Sequence, residues 1–306
     1  MIVATFNCEN LFVRYRFSSK LAEEKKNEAV DKGFIIERSL FETVLEEERK
    51  LTAGAILATK ADIIALQEVE NLDTLKSFQS RFLKAKFPFK YLIDGNDMRL
   101  IDIAALSNIE ATSIRTHQYD KGSDKKQIFS RDCLEIEYNV NGVPLTLFIN
   151  HFKSMLDKSD PANGRQKTMA KRRQQSEQVV QIIKDKFGSK LAKENFIVLG
   201  DLNDYLPSTG LKPLLDQPWL ENVVQTRLPA EEQWTHWWSD KKSVSQLDYI
   251  LLSSRLAKNS PAKPVIIRCG LGTNCTQFTG KRLDGIGKKS PVASDHCPVA
   301  MEVNVR

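Results

Sequence analysis

Phe196-Ile197-Val198-Leu199-Gly200-Asp201-Leu202-Asn203-Asp204 runs from four apolar residues through a glycine into side chains that hold cations and protons well. The apolar part is too short for a helix and suits a buried strand, with the polar residues placed where the chain leaves the core. Asp201 and Asn203 are two apart, so on an extended segment they share one face. Taken alone, the triplet is more commonly an ordinary Asx turn.

The same grammar recurs along the chain. Ile2–Phe6, Ile63–Leu66, Ile101–Leu106, Leu134–Tyr138, Leu145–Ile149, Leu247–Leu252 and Val299–Val305 are equally brief apolar runs and read as strands. Beside them lie Asn7-Cys8-Glu9-Asn10, Gln67-Glu68, Asn150-His151-Phe152-Lys153-Ser154, Gln246-Leu247-Asp248 and Ser294-Asp295-His296-Cys297-Pro298. A carboxylate at the buried end of a strand is costly unless it is paired or binds a cation, so several on one rim signal function. Singly they mean less. Glu68 could cap a following helix, Asn7 could bridge backbone groups, and His151 could be a satisfied core histidine. The other histidines, His117 and His236, stand in polar stretches and read as surface residues.

Two helices are expected. One runs from Ile36 to Thr59, with Leu40, Val44, Leu51 and Ala55 on one face. The other runs from Arg165 to Phe187, with Val179, Val180, Ile183 and Phe187 apolar and Gly188 as its stop. Asn141-Gly142 marks a hairpin turn, and Gln233–Trp238 is expected to pair with Ser245–Leu252. Short strands beneath helices suggest a mixed α/β sandwich of two sheets with helices outside. No repeat, low-complexity tract or long linker divides the chain, so residues 1–306 read as a single domain.

Apolar residues at 41% and charged residues at 27% are ordinary for a soluble globular chain, and nothing reads as disordered. The 45 basic against 39 acidic residues give a net charge of +6, which favours anions such as phosphates, although solubility explains the same excess. Five scattered cysteines form neither a disulfide framework nor a zinc motif; Cys269 and Cys275 could pair in an oxidising compartment, with free thiols the expectation. The start lacks a secretory signal and no run approaches a membrane span. A cytoplasmic monomer without stable membrane association is therefore expected, or a secreted one if the N-terminus has been trimmed.

Together, Asn7, Gln67-Glu68-Val69, Asn150-His151, Gly200-Asp201-Leu202-Asn203, Leu247-Asp248-Tyr249 and Ser294-Asp295-His296-Cys297-Pro298 resemble the endonuclease/exonuclease/phosphatase superfamily, in order and across the whole chain. The resemblance implies a deoxyribonuclease I-like, four-layer αββα sandwich with the site on one rim. Asn7-x-Glu9-Asn10-Leu11-Phe12 and Asn150-His151-Phe152-Lys153-Ser154 look like bacterial members described as nucleases. Glu9 departs from the amide or aspartate of many relatives. His151 stands where apurinic endonucleases carry a tyrosine, which is closer to deoxyribonuclease I.

A divalent-metal-dependent phosphodiesterase follows as the expectation, a nuclease on DNA in the first instance. Phosphodiester hydrolysis needs an activated in-line water, positive charge on the phosphate oxygens and help for the leaving oxygen. Glu68, with Asn7 and Asp295 and with Glu9 as a possible extra ligand, is expected to hold Mg2+, with Mn2+ or Ca2+ as other compatible ions. Asp248 is expected to orient His296, which accepts the water proton or binds the phosphate, with Asp201 as the rival base. Asn203 and His151 are expected to donate to the phosphate or leaving oxygen. Arg131 falls where relatives bind substrate, and Lys153 is a second candidate there. Trp234, Trp237 and Trp238 could stack bases, although hairpin packing explains at least one of them. Arg165, Lys167, Lys171, Arg172 and Arg173, and Lys281, Arg282, Lys288 and Lys289, could meet phosphates or simply be solvated. The main alternative is a phosphatase or phosphodiesterase on inositol phosphates or phospholipids; a non-catalytic phosphate-binding protein fits less well.

Overall fold

The strand β1 (Ile2–Leu11) shows how the layers arise. Side chains alternate along a strand. Val3 therefore packs between two sheets, whereas Ala4, Phe6 and Cys8 pack on the opposite face under helices. The computed structural model describes residues 1–11, 16–17, 41–42, 46–84, 86–97, 99, 101–157 and 159–306.

After β1 come α1 (Glu46–Ala58), β2 (Ile63–Val69), α2 (Leu72–Phe82), β3 (Phe89–Leu92), β4 (Asp102–Ser107) and β5 (Ala111–Arg115). Then follow β6 (Cys133–Val140), β7 (Val143–His151), α3 (Gly164–Phe187), β8 (Phe196–Asp201) and β9 (Leu220–Asn222). The chain continues through β10 (His236–Trp238), β11 (Ser243–Ser245), β12 (Asp248–Ser253), β13 (Val265–Ile266) and β14 (Val299–Glu302). One sheet has the order β13-β14-β1-β2-β4-β3 and the other β9-β12-β8-β7-β6-β5.

Three apolar clusters separate four layers. Val3, Ile63 and Ala105 meet Leu147, Ile197 and Ile250 between the sheets. Phe6, Ile64 and Leu66 pack under Leu51, Ile56 and Phe78 of α1 and α2. Phe148, Phe196 and Val198 pack under Val179 and Ile183 of α3. This is the αββα sandwich expected from the sequence.

Each sheet contains one central parallel pair, β1 with β2 and β7 with β8. Parallel neighbours need a crossover, and α1 and α3 lie on those two connections and cover the outer faces. The C-terminal ends of β1, β2, β7 and β8 consequently carry Asn7, Glu68, His151 and Asp201 to one rim. The antiparallel neighbours begin where these end, since Asp248 pairs with Asp201 and Val299 pairs with Thr5. That brings the Asp295-His296 loop to the same rim.

Several boundaries differ from the sequence reading. Within the expected Ile36–Thr59 helix, Glu46–Ala58 is helical with Leu51 and Ala55 buried, Phe41–Glu42 is extended, and Leu40 and Val44 lie outside the described residues. The Gln233–Trp238 hairpin partner is not Ser245–Leu252: the hairpin strand His236–Trp238 pairs with Ser243–Ser245. Past Gln246-Leu247 the chain enters the large sheet, where Asp248–Ser253 pairs with β8 and β9. The last strand ends at Glu302. Asn141 (φ 53°) and Gly142 (φ 87°) form the expected turn between β6 and β7.

Gly200 has φ +133°, and a Cβ there would stand 1.9 Å from the Asn150 carbonyl oxygen on the neighbouring strand. Neither the backbone angle nor the space admits a side chain. Gly200→Ala should lower stability by at least ~3 kcal/mol, the scale of overpacking plus a strained backbone angle. Urea denaturation checks this, and an unchanged midpoint would contradict it.

Candidate active site

Asn7 ends the regular part of β1 and is buried between the sheets. Its Nδ2 donates to Asp201 Oδ2 at 3.0 Å, joining one sheet to the other, and its Oδ1 accepts the Glu9 amide at 3.0 Å. Beyond it the pairing of β1 with β2 slips, with Glu9 (φ 46°) and Asn10 (φ 70°) in the left-handed region. Asn7 and Glu9 thus share the cleft through a bulge.

A second bulge aims Glu68. Continuing the alternation of Ile64 and Leu66 would place it under the helices, but the register slips between Gln67 and Val69 and Glu68 takes φ 63°. Bulges redirect side chains at sheet rims, often next to active sites. Glu68 does not cap the next helix; Asn71 does, its Oδ1 accepting the Thr74 amide at 2.8 Å.

Asp201-Leu202-Asn203 is both an Asx turn and part of the site. The Asn203 amide donates to Asp201 Oδ1, and its Nδ2 donates to Asp201 Oδ2, each at 2.8 Å. Across β8, Asp248 is wholly buried. Its Oδ2 accepts the Thr235 hydroxyl at 2.7 Å and lies 2.9 Å from His296 Nδ1. Thr235 in turn accepts the amides of Leu247 and Asp248, each at 3.0 Å, which fixes the carboxylate. The loop carrying His296 is tied down by Ser294, whose hydroxyl donates to the Asn7 carbonyl at 2.8 Å.

His296 Nε2 lies 3.9 Å from Asp201 Oδ2, and His151 Nε2 lies 3.6 Å from the same oxygen and 4.0 Å from Glu68 Oε1. Burial opposes a charge on His296, but the carboxylates of Asp248 and Asp201 outweigh it and hold its pKa well above the ordinary imidazole value. Burial keeps His151 far below that value, and the charge of Arg131 adds to the effect. Burial likewise pushes Asp201 up to about 7, despite the opposing pull of His296.

The cleft encloses about 220 Å³ and brings Asn7, Glu9, Glu68, Asp295, His151, Asp201, Asn203, Arg131 and His296 together. Asp248 stands behind His296. Lys153 is not part of the lining, because its ammonium group turns back to the Leu156 carbonyl at 3.4 Å. Arg131 is buried, donating to the Phe152 carbonyl at 3.0 Å and paired with Asp97 at 3.0 Å.

Three features escaped the sequence reading. His236, read as a surface residue, is buried in the cleft wall with Nε2 3.3 Å from Asp295 Oδ2. It gets there because segment 235–237 pairs with the Asp295-His296 loop: the Trp237 amide donates to the Asp295 carbonyl and the Cys297 amide to that of Thr235. His117 is not a free surface residue either, standing 3.0 Å from Glu135. Arg99, without any motif, lines the cleft and pairs with Asp97 at 3.0 Å. Of the tryptophans, Trp234 and Trp237 are core and only Trp238 reaches the cleft.

Three members of the basic clusters have structural partners. Arg165 and Arg172 hold Asp204 at 2.7 and 3.0 Å, and Arg282 donates to the carbonyls of Leu271, Cys275 and Phe278. All five cysteines are free.

The family profile described as Endonuclease/Exonuclease/phosphatase family matches residues 4–296. The chain belongs to this family. Its members hydrolyse phosphoester bonds, and the protein is a hydrolase of that class. No curated protein matches the sequence. The human Nocturnin catalytic domain with bound sulfate is similar in structure, with 16% identity, a TM-score of 0.62, and coverage of 100% of this chain and 94% of that one. So are the Bacteroides thetaiotaomicron mannosyl-6-phosphatase Bt3783 (13% identity, TM-score 0.60, 99% of both chains) and a humanized D. rerio TDP2 (13%, 0.59, 100% and 99%). At these identities the likeness shows the fold, which is deoxyribonuclease I-like.

Enzymes of this family are generally divalent-metal dependent. The residues here fit such an ion: Glu68, Glu9, Asp295 and Asn7 offer only oxygen ligands to one cleft, the donor set of a hard cation. Burial raises Glu68 above the usual carboxylate range and the nearby Asp295 charge adds to this, a repulsion that a cation would relieve.

Asp248→Asn should lower the His296 pKa, because it removes the principal carboxylate that favours the charged ring. In metal-free protein followed by NMR, wild-type His296 should stay protonated above pH 6.5 and the variant should lose its proton at lower pH. Equal titration curves would contradict the pairing.

Proposed function

We propose that the protein is a divalent-metal-dependent nuclease that cleaves phosphodiester bonds within DNA. The observation that carries this reading is the placement of His296: Asp248 holds its Nδ1 at 2.9 Å, while Nε2 faces a cleft that also contains Glu68, His151 and Asp201. A cation held by Glu68, with Asn7, Asp295 and Glu9, would supply positive charge to the phosphate oxygens.

The chain's own groups divide the remaining work. Asp201, within 3.9 Å of His296 and 3.6 Å of His151, takes the proton of the attacking water. His296 Nε2 contacts the phosphate, and Asp248 fixes its orientation. Asn203 donates to the pentacovalent phosphate. A neutral His151 donates an N–H to a phosphate or leaving oxygen, the role suited to an imidazole buried beside Arg131. Arg131 and Arg99 offer cationic edges to the strand, and Trp238 offers a face for a flanking base. Lys153 has no place in this scheme.

A nuclease is favoured over a lipid or inositol phosphate hydrolase by the joint presence of two arginines and an indole at the cleft and by the net charge of +6. Among the described residues no helix is long and apolar enough to cross a membrane.

The test supplies supercoiled plasmid, linear duplex, single strands, an abasic duplex and inositol phosphates, each with Mg2+ and with chelator. Nicked plasmid in Mg2+, and none with chelator, is the expected result. Release of inorganic phosphate alone would overturn the nuclease reading. His296→Ala should reduce kcat/KM by ~10²–10⁴-fold with the fold retained, the usual scale for losing a group that acts directly on the reacting atoms.

A further inference from the structure

We infer that His236, Asp295 and His296 form a binding site for a transition-metal ion of the zinc class, beside the oxygen-lined metal position at Glu68 and distinct from it. Nitrogen and carboxylate ligand atoms of these residues all lie within 4.8 Å of one another. His236 Nε2 is 3.3 Å from Asp295 Oδ2, and His296 Nε2 is 3.9 Å from Asp295 Oδ1. Tetrahedral zinc with bonds of about 2.0–2.2 Å sets its ligands about 3.3 Å apart. One edge of that tetrahedron is already formed. The Asp295–His296 edge closes by turning Asp295, whose side chain is 41% exposed, and the edge between the two imidazoles, whose ligand atoms lie within 4.8 Å, closes by a small shift of the rings.

Ligand chemistry separates the two positions. Two imidazoles and one carboxylate suit zinc, copper or nickel, whereas magnesium takes oxygen ligands and retained waters. Asp295 has two carboxylate oxygens and borders both positions. The imidazoles are held in advance. The Asp248 carboxylate on His296 Nδ1 is the outer-shell partner that metal-bound histidines ordinarily have. His236 is fixed by the pairing of its strand with the His296 segment and by its ring, 4.2 Å from Trp238 and 4.5 Å from that of His296.

A structural duty does not explain His236. Its Nδ1 is buried with no hydrogen-bond partner among the described residues, so no bond from that atom to the surrounding fold holds the ring, and its Nε2 is the atom turned to the cleft. Among the described residues its side-chain polar contact is with Asp295 at the cleft. The other compact trio, Asp201, Asp248 and His296, is a poorer site. Its carboxylates are at most 1% exposed and already accept Thr235, Asn7 and Asn203. In the His236 site three protein ligands leave a fourth position open to the cleft.

Zinc bound there occupies His296 Nε2, the atom assigned above to the phosphate. Zinc therefore inhibits an enzyme that magnesium supports. This consequence rests on the proposed role of His296, whereas the binding itself does not.

The experiment titrates chelator-stripped, dialysed full-length protein with Zn2+ by calorimetry in the presence of Mg2+, using wild type, His236→Phe and His236→Asn, each checked for fold by circular dichroism. Co2+ absorption reports the ligand geometry. One zinc per wild-type chain is expected, with binding at least ~100-fold weaker in either variant that folds, beyond the loss from an outer-shell partner. The thiols are unchanged in both variants, so loss of binding assigns the ion to His236. Absent binding in wild type, or equal binding in a folded variant, would overturn the site. In parallel, each protein's hydrolysis is normalised to its own zinc-free rate, and the variants should tolerate ~100-fold more zinc. Tight zinc binding without inhibition would overturn the consequence for His296 and leave the site standing.

Discussion

The Asp201 carboxylate is 1% exposed, inside a sandwich whose neighbouring layers are apolar. An uncompensated charge there would cost several kcal/mol. The compensation comes from both sheets: Asn7 reaches across from β1, Asn203 closes an Asx turn beneath, and the imidazoles of His151 and His296 stand on either side. Asp248, opposite in the strand register, shares the second imidazole. Meeting the electrostatic need of one buried acid thus fixes the relative position of the two sheets at this rim, and with it the site.

Topology makes that meeting possible. Two parallel strand pairs deliver their C-terminal ends to one edge, and their antiparallel neighbours start there. The arrangement needs crossover helices on both outer faces, so the αββα layering and the location of the chemistry share a cause. Two bulges and the glycine at 200 then set individual side chains.

Much of this was legible in the sequence, for identifiable reasons. Buried strands are short apolar runs, so Ile63–Leu66 and Phe196–Leu199 were visible, and the polar residues at their ends marked the rim. The α3 helix was visible from its apolar C-terminal half and from Gly188. What escaped depended on partners distant in sequence. His236 looks like a loop residue until the 235–237 segment pairs with 295–297. Arg165 and Arg172 look like phosphate ligands until Asp204 is found between them. The apparent hairpin partner Ser245–Leu252 hid a change of sheet at Gln246-Leu247, because nothing local in an apolar run records which sheet it joins. The turn of Glu68 into the cleft needs a bulge, which no periodicity announces.

Beside Glu68, His151, Asp201, Asn203 and His296, the wall of the same cleft carries Arg99, Trp238 and His236. The claim beneath all of this is that distant segments build a single cation-dependent cleft. Anomalous scattering from crystals grown with Mn2+ tests it most directly. The expected map has a manganese peak ligated by Glu68 in the cleft that also holds His296. Crystals with full manganese occupancy elsewhere and no peak at Glu68 would contradict it.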